Sequence, residues 1–100
     1  MPIYMTAQWK CRSGVEGTVA AALKEFVSSV GKNETGTRVY TALQAVNDPT
    51  RFMTGFVFED EAARQFHQST EWVKRFTEVI YPLNNGEVLF TEYNLVASTE

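Results

Sequence analysis

The chain has a single cysteine, a single histidine and three prolines among its 100 residues. One cysteine excludes an intramolecular disulfide and suits a reducing compartment. One histidine, with no H-x-x-x-H or C-x-x-C spacing, leaves no cluster from which to build a metal centre. Long apolar stretches are absent too. The longest uninterrupted run is Val19 to Leu23, far short of a bilayer span, so no membrane role is expected. Basic residues are scattered, Lys74-Arg75 being the only adjacent pair, and the net charge is −3. Both features argue against a nucleic-acid partner. The first ten residues lack a cationic segment leading into an apolar one, so the expected location is cytoplasmic.

What the chain has is aromatic residues, thirteen per cent of the total with seven Phe, and 44% hydrophobic residues overall. A chain of this length makes one domain, residues 1–100, with one modest core.

"IYMTAQWKC", residues 3 to 11, alternates as a strand with Ile3, Met5, Ala7, Trp9 and Cys11 on one face. "SGVE" reads as a capping box between Ser13 and Glu16, opening a helix over residues 14 to 31. Val19, Leu23, Phe26, Val27 and Val30 form its apolar stripe, and Gly31 is the expected stop. "KNETG" is a polar connection. "TRVYTALQAV", residues 37 to 46, is a second strand, turned by "NDPT" into a third at residues 51 to 59. Residues 60 to 68 and 70 to 81 form a helix in two pieces, ending before Pro82. "NNG" turns the chain into a fourth strand, residues 87 to 97. Two strand-helix-strand units with right-handed crossovers give a ferredoxin-like α+β fold, βαββαβ, with a four-stranded antiparallel sheet and its helices on one face.

Helices cover only one face of such a sheet, yet both faces carry apolar residues. Phe52, Phe56 and Phe58 oppose Met53 and Val57 in the third strand. Val88, Phe90 and Val96 oppose Leu89, Tyr93 and Leu95 in the fourth. A patch of that size calls for cover, and a second copy packed sheet to sheet supplies it. The expected partner is therefore the chain itself, as a homodimer.

The stretch "TGTRVYTALQAVNDPTRFMTGFVFEDEAARQFHQSTEW" resembles the middle of antibiotic biosynthesis monooxygenase-like domains of the dimeric α/β-barrel superfamily. The matching positions are Gly36, Tyr40, Phe58, Asp60, Ala63, His67, Ser69 and Trp72. The resemblance implies a cofactor-independent monooxygenase acting on a small aromatic or quinol-like compound, in an apolar cleft between helices and sheet. It implies no metal and no cofactor. Two positions depart from the pattern. Phe58 stands where a Trp is usual, and Phe56 where an acidic residue is frequent. The haem-degrading branch does not carry over, because Gln8 is the only amide of the first strand.

In that frame His67 is the acid-base candidate and Tyr40 the donor to a phenolate or quinone oxygen. Phe58, Phe66 and Trp72 are the candidate walls. Each has a plainer role: His67 as a hydrogen-bonded packing residue, Tyr40 as an amphipathic barrel residue, Trp72 as a helix anchor. Trp9 belongs to the core or a dimer interface. Arg38, Arg51 and Arg75 read as surface residues, Glu59 and Asp60 as a helix start, and Cys11 as a small buried hydrophobe. The alternatives to an oxygenase are a non-catalytic dimeric small-molecule binding or stress-associated module, an isomerase of small carbonyl compounds, or an oligomerisation scaffold.

Overall fold

The structure, a computed structural model, describes residues 1–100. Eight elements follow in chain order: β1 (Ile3–Lys10), α1 (Glu16–Asn33), β2 (Thr37–Gln44), β3 (Arg51–Phe58), α2 (Glu61–Gln68), α3 (Glu71–Ile80), a 3-10 turn over Tyr81–Leu83, and β4 (Leu89–Tyr93). The strands form one antiparallel sheet in the order β2-β3-β1-β4. This is the ferredoxin-like α+β arrangement expected from the element order.

Register decides which side chains meet the helices. Ala7 pairs with Thr54, Trp9 with Phe52 and Tyr40 with Phe56. Their side of the sheet packs against Val19, Leu23 and Ile80 from the helices. Aromatic pairs knit the layers together. Trp9 stacks on Phe52 at 5.8 Å between ring centroids, Phe26 of α1 on Phe76 of α3 at 4.4 Å, and Tyr40 on Phe56 at 4.8 Å.

The other sheet face carries no helix. Val39, Leu43, Leu89 and Tyr93 are exposed on it, at 48% or more. Alternation therefore leaves an apolar face bare, as the pattern of both faces foretold.

Several boundaries differ from the sequence expectation. No capping box opens α1. Gly14 turns with φ +94°, the Glu16 carboxylate accepts from the Gly14 amide, and Val15 enters the helix without a side-chain cap. Gly31 does not stop α1, which runs on to Asn33, with Glu34 closing it through a bond from its amide to the Val30 carbonyl at 3.0 Å. β4 spans 89–93 rather than 87–97. The neighbouring end of β1 is taken by the preceding loop, where the Asn85 amide donates to the Lys10 carbonyl at 2.7 Å. At the other end Tyr93 lies opposite Tyr4 and β1 begins at Ile3, so residues beyond Asn94 have no strand to pair with.

The break between α2 and α3 fits the two-piece expectation and has a clear cause. Asp60 caps α2 by accepting from the Ala63 amide at 2.9 Å. Thr70 caps α3 through Val73, and its hydroxyl also donates to the His67 carbonyl at 2.8 Å. A single threonine thus ends one helix and begins the next. The last turn of α2, which holds His67, is fixed between sheet and α1.

Candidate functional site

Glu34 sits in the polar connection after α1, and its side chain is 1% exposed. His67 Nδ1 lies 2.9 Å from both of its carboxylate oxygens. Trp72 Nε1 donates to Oε2 at 2.6 Å, and the Thr37 hydroxyl to Oε1 at 2.6 Å. Three donors from β2, α2 and α3 therefore converge on one buried carboxylate. Trp N–H is a donor only, and a carboxylate with such partners is an acceptor. The partner set puts the hydrogen on Nδ1 of His67 and turns Nε2 away from Glu34.

Nε2 makes no hydrogen bond with the protein, and it is not among the fully enclosed polar atoms. Its ring borders a cavity of about 170 Å³ between helices and sheet. Phe26, Tyr40, Phe56 and Phe58 surround the imidazole, with ring centroids 5.2–6.3 Å away. Most of the cavity wall is apolar. Its mouth is marked by Gln68, Tyr81 and Phe90, all largely exposed, where α2 and α3 part from β4.

Tyr40 also lines the cavity. Burial pushes its phenol well above the ordinary tyrosine range, with the Glu34 charge adding to it and the nearby Thr54 hydroxyl opposing it. Tyr40 is thus held as a neutral O–H donor throughout the physiological range.

The structure brings together some of the sequence candidates and separates others. His67, Tyr40 and Phe58 share the cavity. Phe66 does not line it: the ring is 52% exposed on the outer side of α2, packed edge-on against Trp72 at 6.4 Å. Trp72 does not line it either. Its indole buttresses Glu34 from behind instead of forming a wall. Trp9 belongs to the core and also reaches the cavity. Arg38 pairs with Glu59 at the surface at 3.4 Å, and Cys11 is buried at 1% exposure. No group of three His, Cys, Asp or Glu side chains is placed to hold a metal ion.

Glu34 is the residue sequence reasoning missed. One signal was there. A carboxylate opposes the dipole at a helix C-terminus, so an acidic residue just after Lys32 and Asn33 needs another reason to be there.

A ferredoxin-like sheet with an aromatic cavity under its helices, and His67 in the cavity wall held by buried Glu34, defines the chain as a small α+β domain of the ferredoxin-like class. Within that class the chain matches the antibiotic biosynthesis monooxygenase family over residues 2–79, and it belongs to that family. Solved structures agree on the fold. A candidate antibiotic biosynthesis monooxygenase from Bacteroides thetaiotaomicron has a TM-score of 0.91 at 17% identity, covering 99% of this chain and 93% of its own. A similarly described protein from Caulobacter crescentus has a TM-score of 0.89 at 17% identity, covering 96% and 91%. A protein from Pseudomonas aeruginosa reaches 24% identity with a TM-score of 0.86, covering 96% and 95%. No curated protein matches the chain.

Proposed function

We propose that the chain, as a single domain over residues 1–100, is a cofactor-independent monooxygenase of a small phenolic or quinol-like compound. The observation that carries this reading is His67, held by buried Glu34 behind it, in the wall of a mostly apolar cavity. A buried carboxylate that accepts from Nδ1 orients the imidazole and presents Nε2 as a base, the arrangement proton abstraction requires. Membership of the monooxygenase family and the fold likeness support the same reading.

The chemistry needs little else from the protein. His67 Nε2 takes the phenolic proton. Tyr40 donates to the resulting oxygen, and Phe56 and Phe58 exclude water, which strengthens both interactions. The electron-rich phenolate then reacts with dioxygen. Four electrons leave the substrate, one oxygen atom becomes the new ring oxygen, and the other leaves as water.

The bare sheet face belongs to the same proposal. Val39, Leu43, Leu89 and Tyr93 are covered by a second copy in a homodimer, and the free thiol of Cys11 is kept reduced in the cytoplasm. No helix is long and apolar enough to cross a membrane.

Oxygen uptake with single-ring phenols and quinols, without added metal or cofactor, tests the reaction. His67→Gln keeps a donor for Glu34 and removes the base. General-base loss costs about 10²–10⁴-fold, so kcat should fall by at least a hundredfold while phenol binding persists. Equal turnover in His67→Gln removes His67 from the chemistry. Phenol binding with no oxygen uptake in the native protein assigns a binding module instead.

A further inference from the structure

The "NNG" turn before β4 carries two asparagines, and the fold treats them differently. The Asn84 side-chain oxygen is enclosed by the protein. The backbone on either side of Asn84 is tied down. The Arg12 amide donates to the Leu83 carbonyl at 2.9 Å and the Asn85 amide to the Lys10 carbonyl at 2.7 Å, which bridges Asn84 to Cys11. Asn85, by contrast, is exposed and its side chain makes no hydrogen bond with the protein. Gly86 is exposed as well, with φ +99° and open space where a Cβ would stand. Its amide has no acceptor in the protein.

An asparagine side chain is an amide whose carbon is open to attack by the nitrogen of the next residue. This makes asparagine thermolabile. Two things oppose the reaction: a side chain on the next residue, which crowds the approach, and a hydrogen bond that holds the attacking amide elsewhere. Asn84 has both protections, since Asn85 follows it and the Asn85 amide is held by Lys10. Asn33, Asn47 and Asn94 precede Glu34, Asp48 and Leu95, which all carry side chains. Asn85 has neither protection.

We propose that Asn85 is a site of spontaneous covalent modification in the folded protein. The Gly86 nitrogen bonds to Cγ of Asn85 and loses its proton, and the side-chain nitrogen leaves with that proton as ammonia. The five-membered imide then takes up one water, and opening at one carbonyl or the other gives aspartate or isoaspartate. Water is the only co-reactant. In isoaspartate the main chain runs through Cβ and Cγ. It is one atom longer between the amide pinned to Lys10 and Leu89, which lies opposite Gln8. β4 is an edge strand held by β1 alone, so the added length loosens it. Val88 and Phe90 of the cavity lie in that stretch, which puts the change at the cavity mouth.

Peptide mass mapping of native protein held at mildly alkaline pH and body temperature tests the site, with the urea-unfolded chain as reference. An open loop reacts without unfolding, so the native rate at Asn85 should lie within about tenfold of the unfolded rate. Asn84 should remain an amide in the native protein. A larger retardation at Asn85 overturns the proposal, and so does conversion of Asn84 as fast as Asn85. The isoaspartyl product should exchange its amide hydrogens over residues 89–93 faster than Asn85→Asp, which carries the new charge without the longer chain. Equal exchange overturns the coupling to β4.

Discussion

His67 Nδ1 stands 2.9 Å from each carboxylate oxygen of Glu34, two residues 33 apart in sequence and both buried. This pair closes α2 over α1 and β2 while holding the imidazole toward the cavity. Its energetic weight can be read from what each partner leaves behind. His67→Ala strands a buried carboxylate, and Glu34→Ala strands three donors. Breaking a buried pair from one side costs about 3–5 kcal/mol. Urea denaturation should show each single substitution falling in that range. The double substitution Glu34→Leu/His67→Leu should cost less than the sum, because no unpaired charge remains. Additive losses would mean the two side chains act independently.

Trp72 provides a narrower test of the same network. Trp72→Phe keeps the ring beside Phe66 and removes only the N–H that donates to Glu34 at 2.6 Å. A hydrogen bond to a charged group contributes about 1.5–3 kcal/mol. Stability should fall by that amount, and the His67 imidazole resonances should shift while those of distant residues stay in place. An unchanged imidazole spectrum would separate Trp72 from the orientation of His67.

The four-stranded antiparallel sheet, the element order and the split helix were all legible from alternation, helical spacing and turn residues. Those signals are local, or need only the pairing rules of antiparallel strands. His67 and Tyr40 were legible as residues of one cleft. Glu34 was not, because its importance comes entirely from the Thr37, His67 and Trp72 donors that tertiary folding gathers round it. Phe66 misled for a related reason. Its spacing from Val73 suggests one stripe, but the Ser69–Thr70 break resets the helix phase and turns Phe66 outward. The short β4 was likewise illegible, since its ends are decided by where β1 runs out of free backbone.

Gly36 illustrates close approach rather than backbone freedom. A Cβ placed there would lie 2.6 Å from the Ala63 Cβ. The Gly36 carbonyl also accepts from the Glu59 amide at 2.8 Å, so the loop has little room to retreat. Gly36→Ala should destabilise by about 1–3 kcal/mol, the usual cost of overpacking. Ala63→Gly removes the clashing methyl, so the double substitution should lose less than the two single losses combined. Strict additivity in thermal melts would show that the loop moves away freely.

Tyr40 makes a prediction at alkaline pH. Its folded phenol is raised above the ordinary value of 10, chiefly by burial. Below that ordinary value both folded and unfolded forms hold the proton, and Tyr40 adds no pH dependence. Above it the unfolded chain releases the proton first, so stability falls as pH rises, by about 1.4 kcal/mol per pH unit for one group. Tyr40→Phe should flatten that alkaline slope by about one proton. In phenolate absorbance titrations, one of the four tyrosines should ionise only as the protein unfolds. Four tyrosines titrating together in the folded protein would contradict it.

The bare sheet face sets the last test. Leu43 is 54% exposed and lies opposite Met53, on the side of the sheet away from the helices. In a two-fold dimer built on this face each substitution is felt twice. Fully burying a leucine contributes about 1.5–3 kcal/mol. With about half of Leu43 still exposed in the single chain, losing it from both copies amounts to about 1.5–3 kcal/mol. That corresponds to about 10–10²-fold weaker association, before the cost of placing a charge there. Leu43→Lys should therefore sediment as a monomer at concentrations where the native protein sediments as a dimer. Its circular dichroism should not change, because Leu43 contributes nothing to the core beneath the helices. A Leu43→Lys dimer would move the interface elsewhere, and a native monomer would leave the apolar face to some other cover.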